Sequence, residues 1–211
     1  MLTGLKEERL SRGDTLIEVL IAVTVFSLVA VGGLSVMNSG AATAQRSLEI
    51  TLVRQEIDAQ AEAIRFLNAS YVSSYVKGLL KSSYTGQAAV WLNLPTNTFV
   101  SDFGVDGNNK CPTPPANSFV INTRTLQAQL ISSTSADAGH SITYAKVNFD
   151  DVANTQKITS VDGLWVEAIR GGSTDNTDYL DFNIRACWDS LGQSTPVTLG
   201  TIVRLYEPYD K

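Results

Sequence analysis

The sequence predicts an α+β fold, a long N-terminal helix packed against an antiparallel β-sheet head. From Leu16 to Met37 no residue except Glu18 is ionisable. From Ile50 to Tyr71 apolar residues recur at three- and four-residue steps. After Gly78 the composition turns to Ser, Thr, Asn, Gly and Pro between short alternating runs. These three patterns signal in turn a lipid-length apolar helix, an amphipathic helix and a set of strands.

The first element is the apolar stretch. Its 22 residues meet the roughly 20 needed to cross a bilayer as helix. Lys6, Arg9 and Arg12 precede it, among Glu7 and Glu8, and form the cationic flank expected on the cytoplasmic side. The N-terminus is therefore expected inside and the C-terminal bulk outside. A secretory signal peptide cut near Ala42 or Ala44 and a plain anchor helix are the simpler alternatives. Signal-peptide apolar regions are shorter than this one, and neither alternative gives Glu18 a purpose. A charge at the middle of such a segment costs about 2.5–3.5 kcal/mol, so a carboxylate there needs a partner. Thr15 and Glu18 also fit the T-x-x-E capping box, in which both side chains satisfy free N–H groups at a helix start.

These residues resemble the type IV pilin superfamily, the prepilins of pili and the pseudopilins of type II secretion. The resemblance rests on a short charged leader ending in Gly13, then "TLIEVLIAVTVFSLVAV" with Glu18 at the fifth place after that glycine. It implies that a prepilin peptidase cuts between Gly13 and Asp14 and methylates the new amine of Asp14. Glu18 then pairs with such an amine on a neighbouring subunit during filament assembly. On a 1.5 Å rise per residue the amine and Glu18 stand ~6 Å apart along the axis, so an axial offset between subunits brings them together. The family usually has Phe where Asp14 stands, and its minor members vary more at this place, which leans towards a minor subunit. Many pilins carry a helix proline about twenty residues into the mature chain. Here Gly32 and Gly33 lie nearby, a flex point or a site of close helix packing.

The second element continues the first. Ile50, Val53, Ile57, Ala61, Ile64, Leu67 and Tyr71 form one stripe, with Arg46, Glu49, Arg54, Glu56, Asp58, Glu62 and Arg65 on the other faces. A single rod from Thr15 to the region of Asn68–Val76 is on the order of 80 Å long. The alternative is a break near Asn38-Ser39-Gly40. The expected division is a leader peptide over 1–13, a helix over 14–77 with 14–37 in the membrane or filament core, and a β-rich head over 78–211.

Strand candidates in the head are 118–122, 141–149, 157–171, 179–188 and 197–207, the last three forming a meander. Within 179–188, Leu180, Phe182, Ile184, Ala186 and Trp188 share a face expected to pack on the helix stripe. Asp181, Asn183, Arg185 and Cys187 then face outward. Cys111, in the turn-rich stretch 101–117, and Cys187 are the chain's two cysteines, so one disulfide or two free thiols both fit. A head outside the cytoplasm favours the bond.

Several functions are set aside. The net charge of −5 and the lack of any Lys/Arg cluster leave no footprint for nucleic acid. His140 is the only histidine and sits in a loop-like stretch, and "SDFG" lacks the motifs that accompany it in kinases. Asp102, Asp106 and Asn108 miss the EF-hand spacing. Trp91, Trp165 and Trp188 fit core packing better than a sugar-binding face. No cofactor, metal site or enzymatic activity is predicted. The expectation is a filament subunit made in the inner membrane and displayed on the cell surface. Its partners are copies of itself or other pilins, the prepilin peptidase, an inner-membrane assembly platform and, before assembly, lipid. A tethered or secreted β-domain adhesin and a type II secretion pseudopilin are the alternatives.

Overall fold

A computed structural model describes residues 11–101, 110–131, 143–150, 156–171 and 178–208, with side chains from Thr15 onward. The leader residues Lys6 to Arg9, His140, and the Asp102, Asp106 and Asn108 group lie outside the described residues. The chain forms two compact units divided after Gln45. Helix α1 spans Ser11–Val76.

In the first unit α1 is unbroken, and the window that qualifies it as membrane-spanning is wholly unburied. No Pro interrupts it, and four of its hydroxyls, on Thr24, Ser27, Ser39 and Thr43, bond within the helix. Thr24 Oγ1 donates to the Ile21 carbonyl (2.8 Å) and Ser27 Oγ to that of Val23 (2.7 Å), so neither needs water in an apolar surrounding. The helix also continues through Asn38, Ser39 and Gly40, where Ser39 bonds to Val36 O (3.0 Å) and Thr43 to Ser39 O (2.9 Å). Because Ser11 to Asp14 are already helical, Thr15 lies inside α1, and the capping-box position expected from the sequence is not its start.

In the second unit α1 stops at a glycine cap. Gly78 takes φ +70°, which no Cβ-bearing residue adopts cheaply. Its N–H donates to Tyr75 O (2.8 Å) and that of Leu79 to Ser74 O (3.4 Å), the paired bonds of a Schellman cap. Val53, Ile57, Ala61, Ile64, Leu67 and Tyr71 are all buried in one cluster with the sheet. Burial, with Glu207 adding repulsion, pushes the Tyr71 phenol up from its usual value.

The sheet has five strands: β1 (Phe119–Ile121), β2 (Ala128–Leu130), β5 (Leu164–Gly171), β6 (Asp178–Trp188) and β7 (Val197–Glu207), in the order β2-β1-β5-β6-β7. All its strand pairs are antiparallel, and β5–β6–β7 is a meander. A separate ribbon pairs β3 (Lys146–Phe149) with β4 (Ile158–Asp162). The run 157–171, expected as one strand, is therefore two. Gly163, at φ +59°, turns the chain between them and sends β4 to the ribbon and β5 to the main sheet. Strand β2, the 3₁₀ turn Lys81–Ser83 and the short helix α2 (Gln87–Leu92) were not anticipated, since three to six residues show no usable period.

One helix-to-sheet contact explains how β1 is held. Phe119↔Val166 is the one residue pair joining β1 to β5. Two positions on, Gln60 of α1 takes over: its Nε2 donates to Ile121 O and its Oε1 accepts from Ile121 N–H, both at 2.8 Å. In an antiparallel strand both groups of one residue point the same way, so a single carboxamide replaces a missing strand. One turn earlier, Glu56 accepts a bond from the Val147 N–H of β3, while burial pushes its carboxyl up from the usual value.

The three tryptophans are buried, as the core reading requires. Each indole N–H donates to a carboxylate: Trp91 to Glu207 (2.6 Å), Trp165 to Glu167 (3.0 Å) and Trp188 to Glu49 (3.2 Å). Glu49 is thus buried and also accepts from Ser190 Oγ (2.7 Å), whereas the sequence placed it on a solvated helix face.

Candidate functional site

Two regions carry chemistry, one on α1 in the first unit and one on the sheet in the second. On α1, Glu18 is exposed, and among the described residues none pairs or hydrogen-bonds with it. Around it Leu16, Ile17, Val19, Leu20 and Ile21 each expose more than half of their surface. From Thr15 to Met37 the helix is an apolar cylinder whose one ionisable residue is Glu18. Such a surface is not stable in water, and its carboxylate is not stable unpaired in lipid, so both ask for something outside the chain. The backbone of Gly13 and Asp14 lies within α1. Gly32 and Gly33 are helical, and apart from the helix's own neighbouring backbone nothing lies within 4 Å of where a side chain would begin.

On the sheet, alternation puts Leu180, Phe182, Ile184, Ala186 and Trp188 in the main core. The opposite face of β6 was expected to meet solvent, and most of it does not: Asn183, Arg185 and Cys187 are buried. Asn97, Ser101 and Cys111 meet β5 and β6 on this face. Asn97 N–H donates to Ala168 O at 2.8 Å. Ser101 then reaches Glu167 twice, through N–H (3.2 Å) and Oγ (2.7 Å). Arg185 closes the cluster, with Nη1 at 3.1 Å from Glu167 Oε1 and 2.9 Å from both Ser101 O and Ser101 Oγ. Beside it Cys111 and Cys187 form a disulfide, Cα–Cα 5.7 Å, packed with Trp165. Each buried charge of this cluster has an opposite charge and several hydrogen bonds, the condition under which buried ions are tolerated.

Glu167, Arg185 and Ser101 escaped the sequence reading. The usable signal was that Glu167 stands between Trp165 and Ile169 on one face of β5, and that Arg185 lies diagonally across the ladder from it, since Glu167 pairs with Asn183 and Trp165 with Arg185.

The chain thus combines a unit whose helix is long and apolar enough to cross a membrane with an α+β unit. A family profile described as the prokaryotic N-terminal methylation motif matches residues 9–34, and the chain thus carries the prepilin-type motif of type IV pilins. No curated protein and no solved structure matches the chain. The motif supports a type IV pilin- or pseudopilin-like protein and points to a structural subunit rather than an enzyme. It supports processing by a prepilin peptidase and assembly with other pilins, and with the apolar helix it supports membrane anchoring before assembly into a surface filament.

Proposed function

We propose that the chain is a structural subunit, of the minor kind, of an extracellular type IV pilus-type filament. It is inserted with its N-terminus in the cytoplasm and cleaved between Gly13 and Asp14. After methylation of the Asp14 amine, the assembly platform of the inner membrane extracts it into a filament whose core is built from the apolar part of α1. The head over 78–211 decorates the surface.

The observation that carries this reading is Glu18, the one ionisable residue between Thr15 and Met37, exposed and without a partner among the described residues, inside the matched motif. A carboxylate left unpaired in lipid costs a few kcal/mol, about 2.5–3.5 on insertion scales at the centre of a span. That cost works as a register device, because a subunit seated one step out leaves both the acid and the amine without a partner. Gly32 and Gly33 cost the helix about 0.8–1.0 kcal/mol each relative to Ala, which makes them its softest place during extraction.

Glu18→Gln keeps the size of the side chain and removes the charge. The expected result is a processed subunit that accumulates in the membrane while incorporation into sheared surface fibres falls away. Normal incorporation of the variant would sink the register argument. The same motif serves secretion pseudopilins, and recovery of the chain only in envelope-bound assemblies of a secretion system would move it to that branch.

A further inference from the structure

The outer face of β6 and β7 carries a feature that the filament reading does not use. Asn183 is only 5% exposed, yet no described residue bonds its carboxamide. It lines an open cavity of about 540 Å³ together with Ile184, Arg185, Gly200, Thr201 and Ile202. The register explains the cavity. Asn183 pairs with Ile202 and Arg185 with Gly200, so a bare glycine sits where a side chain would otherwise cover the ladder. Ile202 forms an apolar wall and is 68% exposed.

Among the described residues the charges around the cavity are all paired. Arg185 is held by Glu167 and Ser101. One register step along, Arg204 grips Asp181 with two bonds of 2.7 Å and stacks 4.2 Å over the Tyr179 ring. A further step along, Tyr179 and Tyr206 meet edge to face, with Tyr206 59% exposed. The strip thus runs from a carboxamide through a neutralised ion pair to an exposed aromatic ring, ~13 Å on the pitch of a strand. With no free charge among the described residues, the strip offers nothing to hold a phosphate or an acidic peptide. An extended peptide would find its backbone partners along the outer edge of β7 rather than on this face. What fits is a neutral ligand with hydrogen-bonding groups on one side and apolar C–H or methyl surface on the other.

We propose that this groove binds a neutral saccharide carrying an acetamido group. Asn183 offers one donor and one acceptor, the complement of the acetamido C=O and N–H. Ile202 takes the methyl group, and Tyr206 offers a ring face to a further sugar unit. The inference rests on the head alone and stands whether or not the chain enters a filament.

The test is an NMR titration of the full mature chain in a zwitterionic detergent without a sugar headgroup, using triacetylchitotriose as the probe. Saturable shifts at Asn183, Gly200 and Ile202 are expected, with no comparable response to maltotriose. Asn183→Ala should weaken binding roughly tenfold or more, through the loss of two hydrogen bonds. Gly200→Val, a substitution suited to a strand, should abolish binding by filling the cavity while leaving Asn183 in place. Near-UV circular dichroism confirms that each variant is folded. Absence of saturable shifts, or binding undiminished in both variants, overturns the proposal. An equal response to maltotriose overturns the acetamido assignment, and tighter binding of a blocked dipeptide would make the groove a peptide site instead.

Discussion

Breaking the Cys111–Cys187 link is expected to be the costliest covalent change available in the head. The two residues are 76 apart in sequence, so the bond closes a loop of about that many residues in the unfolded chain. In the chain-entropy account such a loop loses about 15 cal/mol/K of freedom, or about 4.5 kcal/mol at 25 °C. For a domain of this size each kcal/mol moves the midpoint by roughly 2–4 °C, so the shift should be on the order of 9–18 °C. The assay is urea and thermal unfolding of the purified mature chain in detergent, comparing oxidised protein with Cys111→Ala, Cys187→Ala and the double variant. Because the effect lies mainly in the unfolded state, each single variant should lose about as much as the double. Cys187 is fully buried against Trp165, so its variant should also show a small packing loss. A double variant within about 1 kcal/mol of the oxidised protein would refute the reasoning, because loop closure alone predicts several times that.

Glu167→Ala should destabilise the head by about 3–5 kcal/mol, since it removes the counter-charge of the buried Arg185 and the carboxylate acceptor of the Trp165 N–H. The double replacement Glu167→Leu with Arg185→Met should recover much of that loss in urea unfolding, and no recovery would contradict the desolvation argument. Burial holds the Glu56 carboxyl above its ordinary value of 4.5 in the folded chain. The folded state therefore keeps the proton longer, and stability is lost as pH rises from the unfolded value through the raised folded one. Glu56→Gln keeps an acceptor for the Val147 N–H, so it should raise the melting midpoint above that window and leave it unchanged below. An equal gap at every pH would contradict this.

The parts of the fold that were legible in the sequence are those whose physics is periodic or compositional. Leu16 to Met37 stands out because nothing but one acid breaks it, and β5–β6–β7 because alternation persists over eleven residues in both β6 and β7. What stayed hidden depends on contacts between distant segments. Glu49 looked solvated because helix periodicity cannot show that Trp188 and Ser190 arrive above it. The outer face of β6 looked exposed because alternation marks two faces but not whether a loop returns to cover the second. The Asp162-Gly163 pair was a turn signal lost inside a run of strand-formers, and only the positive φ of Gly163 separates β4 from β5. In the α1 region, Glu18 was legible as an anomaly, since a charge in lipid has so few explanations.

The central claim is that the chain is processed as a prepilin, and the most direct test is the N-terminal mass of the protein recovered from its native envelope or from sheared surface fibres. The account predicts a chain that begins at Asp14 and carries one added methyl group on its amine. A chain that begins at Met1, or near Gln45 after signal-peptidase cleavage, would contradict it and leave the β head as a tethered or secreted domain.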